Sequence, residues 1–182
     1  MTEFTQVLEE RRSIRRYEEK EVPEALLNQV LDAIKWSPSW ANTQCWEIVV
    51  VKDQDLKEKV QAAVPSTNPA YRSMASAPVV LAVCGKLKQA GYYNDAAVTK
   101  FDDWAMFDLG IATQSLCLAA QNAGLGTVIA GMFDHDKAKA ALNVPEGYDL
   151  FCLVPMGYAA KTGPAPPRRG PDEFAHHGTF KS

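Results

Sequence analysis

The sequence predicts an α/β or α+β sandwich, and three observations predict it. Short apolar runs rich in β-branched residues recur at 46–51, 78–83, 127–130 and 150–156, with helical periodicities between them. One helical segment has almost no polar face in its second half, the mark of a helix buried in a core or between subunits. With 182 residues, 47% of them hydrophobic and 23% charged, the chain can bury roughly 70% of its unfolded surface without disulfide or metal staples.

Residues 2–11 read as a short helix with Phe4, Val7 and Leu8 on one side. Pro23 opens a second helix, carrying Leu26, Leu27, Val30, Leu31 and Ile34 and ending near Trp36, because Pro38 disfavours the helical region for Ser37. A polar, turn-rich stretch over 37–45 precedes the run 46–51, whose contiguous Ile48, Val49, Val50 and Val51 suggest a strand buried on both faces. A charged helix is expected over 56–64, a looser one over 70–75, and a second buried strand over 78–83. After a connection at 85–94, the long apolar helix is expected over 95–123, with Gly124 at its C′ position in the left-handed conformation. A third strand at 127–130, a helix capped by Asp134, a turn at 145–147 and a fourth strand at 150–156 complete the domain. Beyond Tyr158 the chain turns proline-rich and aperiodic, so residues 1–160 read as one domain and 161–182 as an extended arm.

Nineteen Lys and Arg against 22 Asp and Glu give a net charge of −3, which argues against bulk attraction to nucleic acid or an anionic membrane. No signal-peptide pattern opens the chain, and no apolar run reaches the ~18 residues needed to span a bilayer. Cys45, Cys84, Cys117 and Cys152 lack metal-ligand spacing; the last three, set among apolar neighbours, read as reduced core thiols. Reduced thiols suit the cytoplasm.

Four segments carry candidate chemistry. Arg11-Arg12-Ser13-Ile14-Arg15-Arg16 offers guanidinium forks and a hydroxyl to a phosphate, although five carboxylates between 9 and 21 equally suit a solvated surface. In an extended run Arg11, Ser13 and Arg15 share one face. Pro38-Ser39-Trp40-Ala41-Asn42-Thr43-Gln44-Cys45-Trp46 gathers amides, hydroxyls and indoles that suit a heteroaromatic ring, or simply a turn with a packed tryptophan. Gly124-Leu125-Gly126 fails as a dinucleotide fingerprint, because Ile129 fills the third glycine position and a helix precedes it; Gly131 still permits close backbone approach to a planar ligand. Arg168-Arg169 in the tail is a solvated pair or an anion clasp. No nucleophile elbow, zinc-protease or Walker motif is present, and Asp134-His135-Asp136 reads as a helix cap.

Taken in order, RRSIRRY, SPSWANTQCW, SAPVVLAVCG, DLGIATQSLCLAAQNAGLGT and the late basic tail resemble the FMN-dependent nitroreductase family along nearly the whole chain. The resemblance implies an α+β three-layer sandwich with a mixed central sheet flanked by helices. It implies a domain-swapped homodimer, with the long helix in the interface and the C-terminal arm around the partner. FMN would be the cofactor and NAD(P)H the co-substrate. A small flat acceptor such as a nitroaromatic or quinone would take hydride in a ping-pong cycle, with no catalytic side-chain nucleophile and no metal.

By matching position, Arg11, Arg12, Ser13 and Arg15 would hold FMN, Arg15 near N1 and O2 of the ring. Pro38, Ser39, Trp40, Asn42 and Gln44 would reach it from the other subunit. Arg72, Ala130 and Gly131 would lie at the ring edge and N5, and Arg168 or Arg169 at the phosphate. Trp40, Cys45 and Ala130 depart from common family residues, which bears on substrate range. A specialised relative (reductive dehalogenase, enone or flavin reductase) and a flavin storage or sensor protein remain alternatives.

Overall fold

The computed structural model describes residues 3–180. The chain runs through α1 (Phe4–Glu10), α2 (Glu24–Ile34), β1 (Trp46–Val51), α3 (Gln54–Gln61), α4 (Tyr71–Ser76), β2 (Val79–Lys86), β3 (Tyr92–Tyr93), β4 (Ala96–Ala97), α5 (Ala105–Asn122), β5 (Gly126–Thr127), α6 (His135–Ala141) and β6 (Tyr148–Gly157). The main sheet has the order β1-β2-β6-β5, and each of these neighbours pairs antiparallel. Its mixed character rests on one parallel bridge, Ser13 to Thr127.

Alternation along β2 builds the two cores. Val80, Ala82 and Cys84 face α3, α4 and α6, packing with Val60, Met74 and Ala138. Val79, Leu81 and Val83 face α2 and α5, packing with Leu27, Val30 and Leu116. A bulge shifts the β2–β6 register between Val83 and Cys84, so Leu150 joins the same core as Leu153 although they are three positions apart. The result is three layers with the sheet in the middle. All four cysteines are free, and Cys45 is as buried as Cys84 and Cys117.

Several expectations need correction. Of the face read as Phe4, Val7 and Leu8, only Val7 is buried. β1 is an edge strand, not one buried on both faces: Val50 is exposed and Val49 only half-buried. Contiguous β-branched residues signal strand formation but not position in the sheet. The long helix starts at Ala105, not near 95. Residues before it form a small hairpin, with Asn94, Asp95 and Asp102 in the left-handed region, where Asn and Asp are tolerated. The third strand pairs continuously only over Gly126–Thr127, then touches β6 again where Ala130 bridges Leu153. The C′ glycine holds: Gly124 has φ 76°. Residues 161–180 are exposed throughout, with one 3-10 turn at Pro171–Glu173.

Candidate functional site

The arginine run leaves α1 as an extended segment laid beside β5. The Ile14 amide donates to the Thr127 carbonyl at 2.9 Å, and Ile14 is buried against Gly126. A Cβ on Gly126 would stand 2.5 Å from Ile14 Cγ1, so only glycine lets the run seat this closely. Tyr17 fixes the other end: its hydroxyl lies 2.7 Å from the Ile14 carbonyl and 2.8 Å from that of Pro155, and burial pushes its pKa well up. With Ile14 turned inward, Ser13 and Arg15 are left exposed.

Arg12 donates to the Glu9 and Arg11 carbonyls, closing the end of α1. The tail then returns over the run. Ala160 donates to the Arg16 carbonyl and Glu18 to that of Tyr158, each at 3.0 Å, which registers the residues just before the arm against 16–18. A cavity of about 310 Å³ forms there, lined by Arg11, Arg12, Ser13, Arg15, Pro164 and Arg168. Arg169 goes elsewhere: its guanidinium lies 5.8 Å from the centre of the Phe174 ring. The ion pairs among the described residues are Lys35–Asp32, Lys52–Glu24 and Lys139–Asp149, so the flanking glutamates neutralise none of these arginines. A cavity walled by four guanidiniums without a carboxylate partner fits a dianionic phosphate.

The second segment lies at the opposite end of α5. Its Ser37 hydroxyl bonds the Ser115 hydroxyl at 2.8 Å, and the Trp40 amide reaches both carboxylate oxygens of Asp108, at 3.1 and 3.0 Å. The Ser39 hydroxyl accepts the Gln44 amide at 3.0 Å, and the Gln44 side chain donates to Asn42 Oδ1 at 3.3 Å. Pro38, Asn42 and Gln44 remain exposed. The Trp40 ring packs on Trp104, with centroids 5.2 Å apart and planes tilted by 49°. Asp108 was not singled out by sequence; it is 2% exposed, and burial pushes its carboxyl pKa up, opposed by its hydrogen bonds from Trp40 and Cys45. Burial, and then the Asp108 charge, push the Cys45 thiol up to about 11.

The third group sits at the strand end after β5. Ala130 exchanges both backbone hydrogen bonds with Leu153 at 2.9 Å and is buried, so its one N–H is already committed to the sheet. Gly131 is exposed, with open space where a Cβ would stand. Its carbonyl lies 3.3 Å from His135 Nε2, while Nδ1 of the same ring lies 2.7 Å from the Leu150 carbonyl. Asp134 caps α6 as expected, accepting the Lys137 amide at 3.0 Å. Asn68 ties this strand end to α4 by donating to the Met132 carbonyl at 2.9 Å, and Arg72 projects exposed from the first turn of that helix.

The protomer thus brings Arg11, Arg12, Ser13, Arg15 and Arg168 together. It does not bring Pro38, Ser39, Trp40, Asn42 or Gln44 to them. A second cavity joins Arg12 and Ile14 to Gln121 and Leu125 at the C-terminal end of α5, whereas Asp108 holds the loop near its N-terminal end. At 1.5 Å per residue those anchor points are about 20 Å apart along the helix.

A model of the nitroreductase family matches residues 8–158. A Methanothermobacter thermautotrophicus protein, provisionally named NADH dehydrogenase/NAD(P)H nitroreductase, is 31% identical over 160 residues, covering 86% of this chain and 77% of its own. Iodotyrosine deiodinase 1 of Rattus norvegicus is 30% identical over 196 residues, covering 90% of this chain and 65% of its own. Among solved structures, a Clostridium difficile nitroreductase family protein shares the fold with a TM-score of 0.83 at 22% identity, covering 99% of this chain and 100% of that one. An oxidised iodotyrosine deiodinase bound to FMN and 3-iodo-L-tyrosine does so with a TM-score of 0.82 at 21% identity, covering 98% and 100%.

Proposed function

The chain belongs to the nitroreductase family, and on that premise we propose that it uses FMN to pass hydride from NAD(P)H to nitroaromatics, quinones or similarly flat acceptors. The observation that carries this reading is the set of four arginines around one cavity, none paired with a carboxylate. FMN, when bound, supplies the hydride chemistry, and donor and acceptor take turns in one pocket.

The chain's own residues bind and orient. Arg11, Ser13 and Arg168 hold the phosphate, Arg168 rather than Arg169 because only Arg168 lines the cavity. Arg15 sets a fixed positive charge beside the ring's pyrimidine edge, stabilising negative charge that develops there. Gly131 offers a close-approaching backbone whose carbonyl is already turned to His135, and Arg72 stands at the ring's outer edge. Pro38, Ser39, Trp40, Asn42 and Gln44 complete the site from a second copy.

The homodimer is part of the proposal. The outer face of α5 leaves Met106 at 69% and Phe107 at 61% exposure, beside an apolar groove of about 930 Å³. The protomer's surface, 11055 Å², exceeds the roughly 8,700 Å² expected of a compact chain of this mass. A partner over α5 and under the 161–180 arm would cover that excess. No helix of the described residues is long and apolar enough to cross a membrane, and the four free thiols support a cytoplasmic setting.

The 30% identity to iodotyrosine deiodinase 1 favours one second reading, reductive dehalogenation of a halogenated phenol. An absorbance spectrum followed by anaerobic titration with NADH and NADPH tests both. The expected result is a yellow protein, bleached by nicotinamide and recoloured by a nitroaromatic or quinone. Recolouring by 3-iodo-L-tyrosine, with iodide released, selects the second reading. Arg15→Ala should weaken FMN binding and lower its midpoint potential. A colourless, folded protein that rejects added FMN overturns the whole reading.

A further inference from the structure

The loop between α2 and β1 carries backbone strain. Ala41, Asn42 and Gln44 have φ values of 45°, 56° and 49°, all left-handed and none glycine. Such a conformation is unfavourable for a residue that carries a Cβ and persists only where the surroundings over-determine it. Here the surroundings are one face of α5. Asp108 accepts the Trp40 amide and Ser115 bonds Ser37, and these two helical residues, seven apart, lie two turns from each other. The Cys45 thiol closes the far side of the loop, 3.8 Å from the same carboxylate.

Asp108 is an expensive anchor. It is 2% exposed and enters no ion pair, and the charged or titratable groups acting on it are Asp103, which pushes its pKa up further, and the Cys45 thiol. Apolar packing around Cys45 and Trp104 comes from Ala90, Ala105 and Phe151, and the uncharged Thr99 hydroxyl accepts the Trp104 indole N–H at 2.6 Å. A buried carboxylate without a cation destabilises the fold, so packing alone gives no reason to keep it.

We propose that Asp108 is a positioning residue: by holding the Trp40 amide it locks the 39–44 loop with Ala41, Asn42 and Gln44 left-handed, the conformation that presents Asn42 and Gln44 to the partner's flavin. The flavin clause rests on the functional reading above; the clamp does not.

The test compares Asp108→Ala and Asp108→Asn with wild type, as apoprotein and as FMN-loaded dimer. Without flavin, the near-ultraviolet dichroism of the tilted Trp40–Trp104 pair and amide exchange across 37–45 report the loop. Asp108→Ala should speed that exchange at least tenfold, the scale of one hydrogen bond to a charged group, and reduce the indole signal. Loaded enzyme should show acceptor KM raised about tenfold with kcat changed far less, the pattern of lost binding geometry. Asp108→Asn, whose amide oxygen still accepts the Trp40 N–H, should recover most of both. If Asp108→Ala does not fold, Asp108→Asn and Ser115→Ala carry the exchange measurement, each expected to loosen 37–45 by a smaller factor. Unchanged exchange and dichroism in a folded variant overturn the clamp. A loosened loop with unchanged FMN affinity and KM overturns its role at the site. Wild-type protein that rejects FMN overturns the functional reading and leaves the clamp to be judged by exchange alone.

Discussion

At the C-terminal end of α5, four guanidiniums surround a cavity with no carboxylate to neutralise them; at the N-terminal end, a carboxylate is buried with no cation beside it. The two regions solve opposite problems. Arg11, Arg15 and Arg168 keep their charge in water and available, so the protomer loses little by leaving them unpaired and an arriving anion gains the full interaction. Asp108 has given up its hydration to fix a backbone that local propensity does not favour. One end of the helix stands ready to receive a ligand, and the other is organised before any ligand arrives. A second copy, running antiparallel along the same helix face, would bring one end of each together.

The largest effect that would break this contrast comes from removing the receiving charges. Arg11→Ala with Arg168→Ala should lower FMN affinity at least a hundredfold, since each charged hydrogen bond is worth about 1.5–3 kcal/mol. Arg169→Ala, whose guanidinium rests near Phe174 outside the cavity, should leave affinity within about twofold, because an exposed cation–π contact contributes only about 0.5–1 kcal/mol and contributes it elsewhere. Fluorescence titration of apoprotein with FMN measures both. Equal losses from Arg168→Ala and Arg169→Ala would mean that the arm seats differently once flavin is bound.

A smaller effect tests how the arginine run is held. Gly126→Ala places a methyl 2.5 Å from Ile14 Cγ1 and 2.8 Å from its Cβ, and overpacking of this kind costs about 1–3 kcal/mol. Denaturant midpoints should fall accordingly, and FMN affinity with them, as Ser13 and Arg15 shift from β5. In an Ile14→Ala background the penalty for Gly126→Ala should shrink, because two of the three crowding atoms are gone. An undiminished penalty would place the strain in the backbone of β5 and not in this contact.

How much of each region could be read from residues alone follows from the same physics. The arginine run was legible because composition and alternation both act locally: four arginines in six residues, with Ile14 as the one apolar residue to turn inward. Its partner Arg168 was legible as a basic residue, but its separation from Arg169 depended on where an aperiodic arm lies. Asp108 was invisible, because an acidic residue in an apolar helix looks the same whether it faces water or a neighbour's amide. The fold was legible wherever periodicity decided, as in α2, β2 and β6. β1 was misjudged because sheet order is set by distant partners, and the start of α5 because residues 95–104 contain no proline or glycine to mark the break. His135 was correctly placed beside a cap, yet its ring lies against the Gly131 and Leu150 carbonyls, a contact made only when β6 arrives.

The smallest effect sharpens the comparison at its buried end. Burial raises the Asp108 pKa above its ordinary value, with Asp103 adding to the rise, so the folded state holds that proton more tightly than the unfolded chain does. Its contribution to stability is therefore greatest below about pH 4, the unfolded aspartate range, and is lost as pH rises through the higher folded value. Asp108→Asn has no proton to lose. The stability of wild type relative to Asp108→Asn should consequently fall between pH 4 and neutrality, as measured by denaturant midpoints at each pH. The opposite trend would mean that the hydrogen bonds from Trp40 and Cys45 outweigh desolvation and that the carboxylate stabilises the fold. Combined with the raised KM expected of Asp108→Ala, the trend separates the two roles: a residue kept for stability would lose it on either replacement, whereas Asp108→Asn should be at least as stable at neutral pH and Asp108→Ala should bind its acceptor less well.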